Sequence, residues 1–482
     1  MARFNKKGKN KTLTTNLAGG VAYSENPKLE LASILLTSFA NNQYYRSADN
    51  TFDRVIELLS MPDMQKFGAK ASIYGRTKFG MRSISHVVAG ELAKTVKGLS
   101  WAKRYYDAVV YRPDDITEIL SYYLNKYGKP LPNSLKKGLA KAFAKFNAYN
   151  IAKYRGENKD ISLIDAVNLL HPKQPQDVLK KLMKGELKSN ETWESKLSDA
   201  GKSENKEQAK ADAWKSLIAE KKIGLFALLR NLRNIIEQAP DMLEQALEQL
   251  TIKEKIKKSL VLPFRFTTAI QEIEKCGYAP KLVKQTIRAL NRAVDISLDN
   301  VPDFEGRTLI AVDVSGSMEG KPLDIASLFG AILAKKIDDS DVLLFSDQKT
   351  FMTINPDDST LSIANRIKEK AFMSGTDFHL IFQHNNAYDR IIILSDMQGW
   401  VKGGSPSYWG SYINSSTLTE YKKKTNCDPL IYSFDLQGYG TLQFPERNVY
   451  CLAGFSDKIF DVMKLLEQDK QALISEIEKV EF

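Results

Sequence analysis

Thr308-Leu309-Ile310-Ala311-Val312-Asp313-Val314-Ser315-Gly316-Ser317 begins as an apolar run and ends on one carboxylate and two hydroxyls, two residues apart. An unbroken apolar run this short, before a turn signal, reads as a buried β-strand. Open α/β sheets place their ligands just past the carboxyl ends of strands. Three hard oxygen donors on one short loop suit Mg²⁺, which prefers oxygen and keeps several waters. Two distant segments supply companions: Ser374-Gly375-Thr376-Asp377, and Asp396 just after the apolar run 391–394. The candidate metal ligands are therefore Asp313, Ser315, Ser317, Thr376 and Asp396, for Mg²⁺ or another divalent cation. With two carboxylates among five donors, the ion would keep positive character and an open position for an acidic ligand from a partner. Gly316 is expected to let the chain turn tightly between the serines. Asp347 and Asp377 stand close in the motif, either at the site or as caps and solvated acids.

The sequence after Pro302 alternates apolar strands with helices. Strands are expected at 308–314, 342–345, 390–395, 430–434 and 449–452, and helices at 322–336, 363–371 and 457–468. This alternation predicts a doubly wound, mostly parallel sheet. Before Pro302 almost every segment has apolar residues three and four apart, the mark of one buried helical face. Helices are expected at 83–99, 116–127, 134–154, 161–170, 222–238 and 278–296, with breaks at Pro62, Pro113, Pro130, Pro132, Pro172 and Pro240. Short helices joined by short turns suggest stacked helix pairs of the α-repeat kind. The polar stretch 195–210 reads as an exposed loop or a mobile helix. Residues 1–12 hold five basic groups and no acid and read as a flexible arm.

Charge divides the chain as sharply as periodicity does. The first 300 residues hold 51 basic and 32 acidic groups, a net of +19, and the remainder holds 18 and 26, a net of −8. A domain this basic suits a polyanion, because neutralising phosphates releases condensed counterions. The candidate phosphate contacts are Arg76, Lys78 and Arg82; Lys136, Lys137 and Lys141, the last two in a stripe with Lys145; Lys153 and Arg155 beside Tyr154; and His171 and Lys173 in a turn. Basic helix ends and stripes bind phosphates without reading sequence. Tyr44, Tyr45, Tyr105, Tyr106, Tyr122 and Tyr123 are expected in the core or half-buried.

Other classes find little support. No run approaches the ~20 apolar residues of a membrane span, and the N-terminus lacks the apolar region of a secretory signal. Three dispersed cysteines, Cys276, Cys427 and Cys451, suit reduced thiols in a cytoplasmic protein. Neither a phosphate-binding P-loop nor a Gly-x-Ser-x-Gly nucleophile is present. His379, close to Thr376, is expected to be structural or solvent-facing, so no general base accompanies the metal motif.

The three metal-motif segments resemble the metal-ion-dependent adhesion site of von Willebrand factor A-like domains. Together with the basic helical part, the chain resembles the Ro/TROVE family of RNA-binding proteins. The resemblance rests on residues 225–232 (Leu-Phe-Ala-Leu-Leu-Arg-Asn-Leu), 262–266, 309–318, Thr192-Trp193-Glu194, Ser374-Gly375-Thr376-Asp377 and Ala453-Gly454-Phe455. It implies a multidomain fold: an all-α, HEAT-like helical-repeat ring plus a doubly wound, Rossmann-like α/β domain. The expected division is an arm at 1–19, a helical RNA-binding domain at 20–300 and the A-like domain at 301–482. The resemblance further implies small structured noncoding (Y-like) RNA on a basic outer face and single-stranded 3′ ends of misfolded RNA in a central hole. His171-Pro172-Lys173-Gln174-Pro175 is similar to the family's outer-face turn, and Lys153-Tyr154-Arg155 to its basic segment. It also implies an exoribonuclease partner such as polynucleotide phosphorylase, a monomeric ring, no membrane and no enzymatic activity. The alternatives are a metal-dependent protein-adhesion scaffold, marked by salt-insensitive binding to an acidic protein, and a Mg²⁺-dependent phosphohydrolase, marked by metal-dependent RNA cleavage.

Overall fold

A computed structural model describes residues 13–15, 21–24, 26–37, 48–156, 159–187, 193–259, 261–372, 374–397, 416–436, 441–442, 449–453, 459–468 and 471–482. Packing groups them into two compact units: Pro27–Ser195 with Gln468–Phe482, and Met1–Asn26 with Lys196–Glu467. The first unit is helical. Met64–Lys78 packs on Ser83–Thr95, which packs on Pro113–Tyr127, and Ala102–Ala108 packs on Asn133–Ala142. Ser83–Thr95 is buried at every position from Ile84 to Ala93, whereas Pro113–Tyr127 turns an apolar face inward through Ile116, Ile119, Leu120 and Tyr123. Gly138 permits one of these crossings, since a Cβ there would lie 2.6 Å from the Lys103 carbonyl oxygen and 2.5 Å from Tyr106 Cβ. The helix Ala472–Glu478 returns to this unit against Pro27–Thr37 and Met64–Lys78. Lys28 and Glu478 pair at 2.5 Å, and the Phe482 ring lies 5.8 Å from those of Trp101 and Tyr105.

Several helices differ from the sequence expectation. The stretch 134–154 is broken: Phe146 is extended, and Asn147 caps a new helix, Ala148–Lys153, by accepting from Asn150 N at 2.9 Å. The stretch 222–238 divides into Leu225–Arg230 and Leu232–Gln238 at Asn231, whose amide donates to the Ala227 carbonyl oxygen at 2.8 Å. The polar stretch 195–210 is largely helical. Trp193–Ala200 buries nothing, whereas Lys206–Ala219 starts at the Asn205 cap and buries Trp214, Leu217 and Ile218. Its inward residues lie beyond the polar window, which is why composition alone hid it.

In the second unit the strands, in chain order, are β1 (Leu13–Thr15), β2 (Val21–Ser24), β3 (Thr308–Asp313), β4 (Ser340–Phe345), β5 (Lys349–Met352), β6 (Arg390–Ser395), β7 (Leu430–Asp435), β8 (Thr441–Leu442) and β9 (Val449–Ala453). Six form one sheet in the order β5-β4-β3-β6-β7-β9, all neighbours parallel except β4–β5. β3 and β6 are buried throughout, as strands covered on both faces must be. Lys321–Lys336 lies on the sheet at close range, because a Cβ on Gly330 would sit 3.1 Å from Val312 Cγ2. The antiparallel edge β5 and the small antiparallel sheet β1-β2-β8 were not expected from the sequence. Helical-repeat layers and a doubly wound sheet, the expected fold class, are both present. Among the described residues no helix is long and apolar enough to cross a membrane.

Candidate metal centre and nucleic-acid interface

From β3 the chain proceeds to β4 on one side, and from β6 to β7 on the other. The carboxyl ends of β3 and β6 therefore flank the topological switch point, where open α/β sheets form their crevice. Asp313 ends β3 and Asp396 directly follows β6. Asp313 is fully buried: Oδ1 accepts from Ser315 N at 3.0 Å and Oδ2 from Ser395 Oγ at 2.5 Å. The Ser315 and Ser317 hydroxyls converge to 3.2 Å. Gly316 N donates to the Ser374 carbonyl oxygen at 2.8 Å, tying the Thr376 loop to this one. The chain turns tightly here, in a 3₁₀ turn over Gly316–Met318, and Gly320, at φ 83°, precedes the helix. Thr376 and Asp396 are buried. Met397 takes φ 58°, turning the chain sharply out of β6, and its N–H donates to Ser395 Oγ at 3.0 Å.

Burial and the facing Asp396 push the Asp313 carboxyl up to about 7. Two buried carboxylates that disfavour each other's charge, beside neutral hydroxyls, form a donor set suited to a hard divalent cation. Among the described residues no group of three or more His, Cys, Asp or Glu could hold a metal. An ion here would thus rest on Asp313 and Asp396 with the Ser315, Ser317 and Thr376 oxygens. Asp377 is otherwise engaged, accepting from His379 N at 2.9 Å to cap Phe378–Phe382. Asp347 is exposed and hydrogen-bonded by Ser374. His379 is buried, 2.7 Å from Thr417 Oγ1.

The ten basic candidates all fall in the helical unit, with two different roles. Asp115 is a buried hub. Arg76 approaches it at 3.0 Å, Arg82 and His86 at 2.8 and 2.9 Å, and the Tyr111 and Arg112 amides donate to it at 2.9 and 2.8 Å. Asp114 pairs with Arg82 and Arg112 at 2.6 and 2.9 Å. Burial alone would raise the Asp115 carboxyl; the hydrogen bond and charge of His86, with Arg76 and Arg82, hold it well below the usual range. Arg76 and Arg82 are therefore engaged inside the fold, and Lys78 is the exposed cation of that segment. Lys141 pairs with Asp107 at 2.7 Å and Lys145 at 3.1 Å, so the stripe is partly neutralised, with Lys137 exposed and Lys136 half-buried.

The second segment lies beside the hub. The Arg112 guanidinium stacks 4.4 Å from the Tyr154 ring, which Lys153 also approaches at 5.8 Å. Lys153 is exposed and Arg155 half-buried. His171, at φ 52°, and Lys173 stand exposed on the turn after Leu163–Leu170. The following helix, Gln176–Met183, packs on Ala148–Lys153. Sequence reading missed Arg112 and the half-exposed Tyr111 and Tyr149; their lone aromatics and unstriped arginine gave no periodic signal. Tyr105, Tyr106 and Tyr123 are buried as expected and Tyr122 is half-buried. Tyr44, Tyr45, residues 1–12, Thr192 and Gly454-Phe455 lie outside the described residues.

The TROVE domain family matches residues 26–184 and 176–277, more than half of the chain. The chain belongs to the TROVE domain family. Among curated relatives, mouse "Telomerase protein component 1" is 24% identical over 340 aligned residues, taking in 52% of this chain and 13% of that protein. The rat protein of the same name is 23% identical, with the same shares. This TROVE chain thus spans only a small part of the length of those relatives. Among solved structures, the Deinococcus radiodurans RO (RSR) protein is similar, with a TM-score of 0.65 and 18% identity, over 94% of this chain and 100% of that one. The likeness is one of fold, and it extends through the sheet as well as the TROVE helices.

Proposed function

We propose that this TROVE protein binds RNA without cleaving it, as a ribonucleoprotein component of RNA quality control or degradation. The observation that carries the reading is coincidence: the family match covers residues 26–277, within the first 300 residues, which carry the net charge of +19. The exposed cations Lys78, Lys137, Lys153 and Lys173, with His171, are the contacts for a structured, Y-like noncoding RNA. Single-stranded 3′ ends of misfolded RNA form the second ligand class, and an exoribonuclease such as polynucleotide phosphorylase is the proposed partner in a cytoplasmic setting. Asp313, Asp396, Ser315, Ser317 and Thr376 hold Mg²⁺ or a similar cation, whose chemistry there is charge neutralisation and capture of an acidic group.

The test incubates the full-length protein with labelled single-stranded and hairpin RNA, with and without Mg²⁺, and follows both binding and integrity. Binding of intact RNA is the expected result. Mg²⁺-dependent cleavage that disappears in Asp313→Ala would replace this reading by the hydrolase alternative. In the same preparations Mg²⁺ should raise the thermal midpoint of the parent and leave that of Asp313→Ala unmoved. An equal rise in both would remove the cation from this site.

A further inference from the structure

Away from both sites, the helices Leu225–Arg230, Leu232–Gln238 and Pro263–Glu274 enclose a cavity of about 410 Å³. That is within the about 300–1,000 Å³ of ordinary small-ligand pockets. Leu228, Leu229, Leu232, Ile235 and Ile236 turn into the core, whereas Phe226 falls out of phase with that stripe and is 42% exposed. An isolated exposed apolar residue needs no explanation. This ring, however, lies at the cavity with two cations near it: the Arg230 and Arg265 guanidinium carbons are 5.8 and 5.9 Å from its centroid. Arg233 also lines the cavity. The acid on the rim, Glu272, is paired with Lys275 at 2.5 Å. Arg233 is likewise paired, with Glu237 at 3.4 Å, so the cavity offers an aromatic ring, an apolar floor and the guanidinium groups of Arg230 and Arg265 beside that ring.

We infer that this cavity holds one unpaired nucleotide of a single-stranded RNA, its base on Phe226 and its phosphate beside Arg230 and Arg265. The inference rests on the RNA-binding reading and adds a site that none of the basic-stripe candidates includes. Bases stack on aromatic rings and guanidinium planes, and the planar fork of Arg matches phosphate geometry. An acidic peptide would engage the arginines but leave the ring and apolar floor unmatched. A flat π-system and an anion in one ligand use every group present.

The experiment measures fluorescence anisotropy of a labelled oligoadenylate of about eight nucleotides on the full-length protein. A duplex RNA, an abasic oligomer of equal length and AMP as competitor complete the set. Phe226→Ala should weaken oligoadenylate by about 5- to 150-fold, the range of one lost base stack, and the abasic oligomer far less. Phe226→Trp should retain affinity, with indole fluorescence quenched on binding. Arg265→Gln should weaken both oligomers. Oligoadenylate binding unchanged by Phe226→Ala, with duplex binding intact, would overturn the pocket and leave the RNA reading standing. Loss of all RNA binding in the parent would overturn both. Displacement of the oligomer by AMP at equal nucleotide concentration would reassign the cavity to a free nucleotide; failure of AMP to compete supports the strand.

Discussion

Asp115 shows how a single residue converts a sequence of apparent surface charges into architecture. It is fully buried and gathers Arg76, Arg82, His86 and two backbone amides. Removing one partner of such a network leaves buried charge uncompensated. Asp115→Asn should therefore destabilise the protein by about 3 kcal/mol or more, read from its denaturant midpoint. Because the folded pKa is depressed, the Asp115 contribution is fully present above the ordinary carboxylate value of about 3.9. It is lost as pH falls below that value toward the folded one. Stability of the parent should decline over that acid range, and the variant's curve should be flatter; parallel acid limbs would refute the assignment. The same geometry separates cations by role. Lys153→Gln and Lys173→Gln should leave the unfolding midpoint in place and each reduce the salt slope of RNA binding by about 0.7–0.9. Arg76→Gln should lower the midpoint. If Lys153→Gln lowers the midpoint as much as Arg76→Gln does, the distinction fails.

The elements differ in how much of themselves the sequence displayed. β3 and β6 were legible because strands buried on both faces carry unbroken apolar runs, 309–312 and 391–394, and the loop chemistry at their ends named Asp313 and Asp396 together. Helical segments were legible as buried stripes, but their boundaries were not. Asn147 and Asn231 end or restart helices through side-chain hydrogen bonds that periodicity does not register. β5, β1, β2 and β8 are short strands of two to four residues, too brief for alternation to show. Of the basic candidates, spacing found the cations but could not say that Arg76 and Arg82 face Asp115, because their partner lies more than thirty residues on. Phe226 was read only as part of a family-like segment, since exposure is a property of packing. Close crossings carry their own prediction. Gly138→Val should cost about 1–3 kcal/mol by overpacking, since its new side chain meets the Lys103 carbonyl and Tyr106. An unfolding midpoint equal to the parent's would mean that the two helices separate freely.

For the whole molecule, two packing units do not coincide with two charge regimes. The basic helices 196–300 pack with the acidic sheet, and the C-terminal residues from 468 pack with the N-terminal helices. Ala472–Glu478 and Phe482 thus brace the unit that holds all ten basic candidates. The charge asymmetry remains the property that most constrains function: +19 over the first 300 residues against −8 beyond them. Its consequence is electrostatic, counterion-releasing association with RNA. The decisive measurement is the affinity of the full-length protein for a hairpin RNA with a single-stranded tail, across about 50–200 mM salt. For about six phosphates neutralised, log K should fall linearly with log salt at a slope of about −4 to −5, and Asp313→Ala should leave that slope unchanged. An affinity indifferent to salt, or one abolished by Asp313→Ala, would contradict the account.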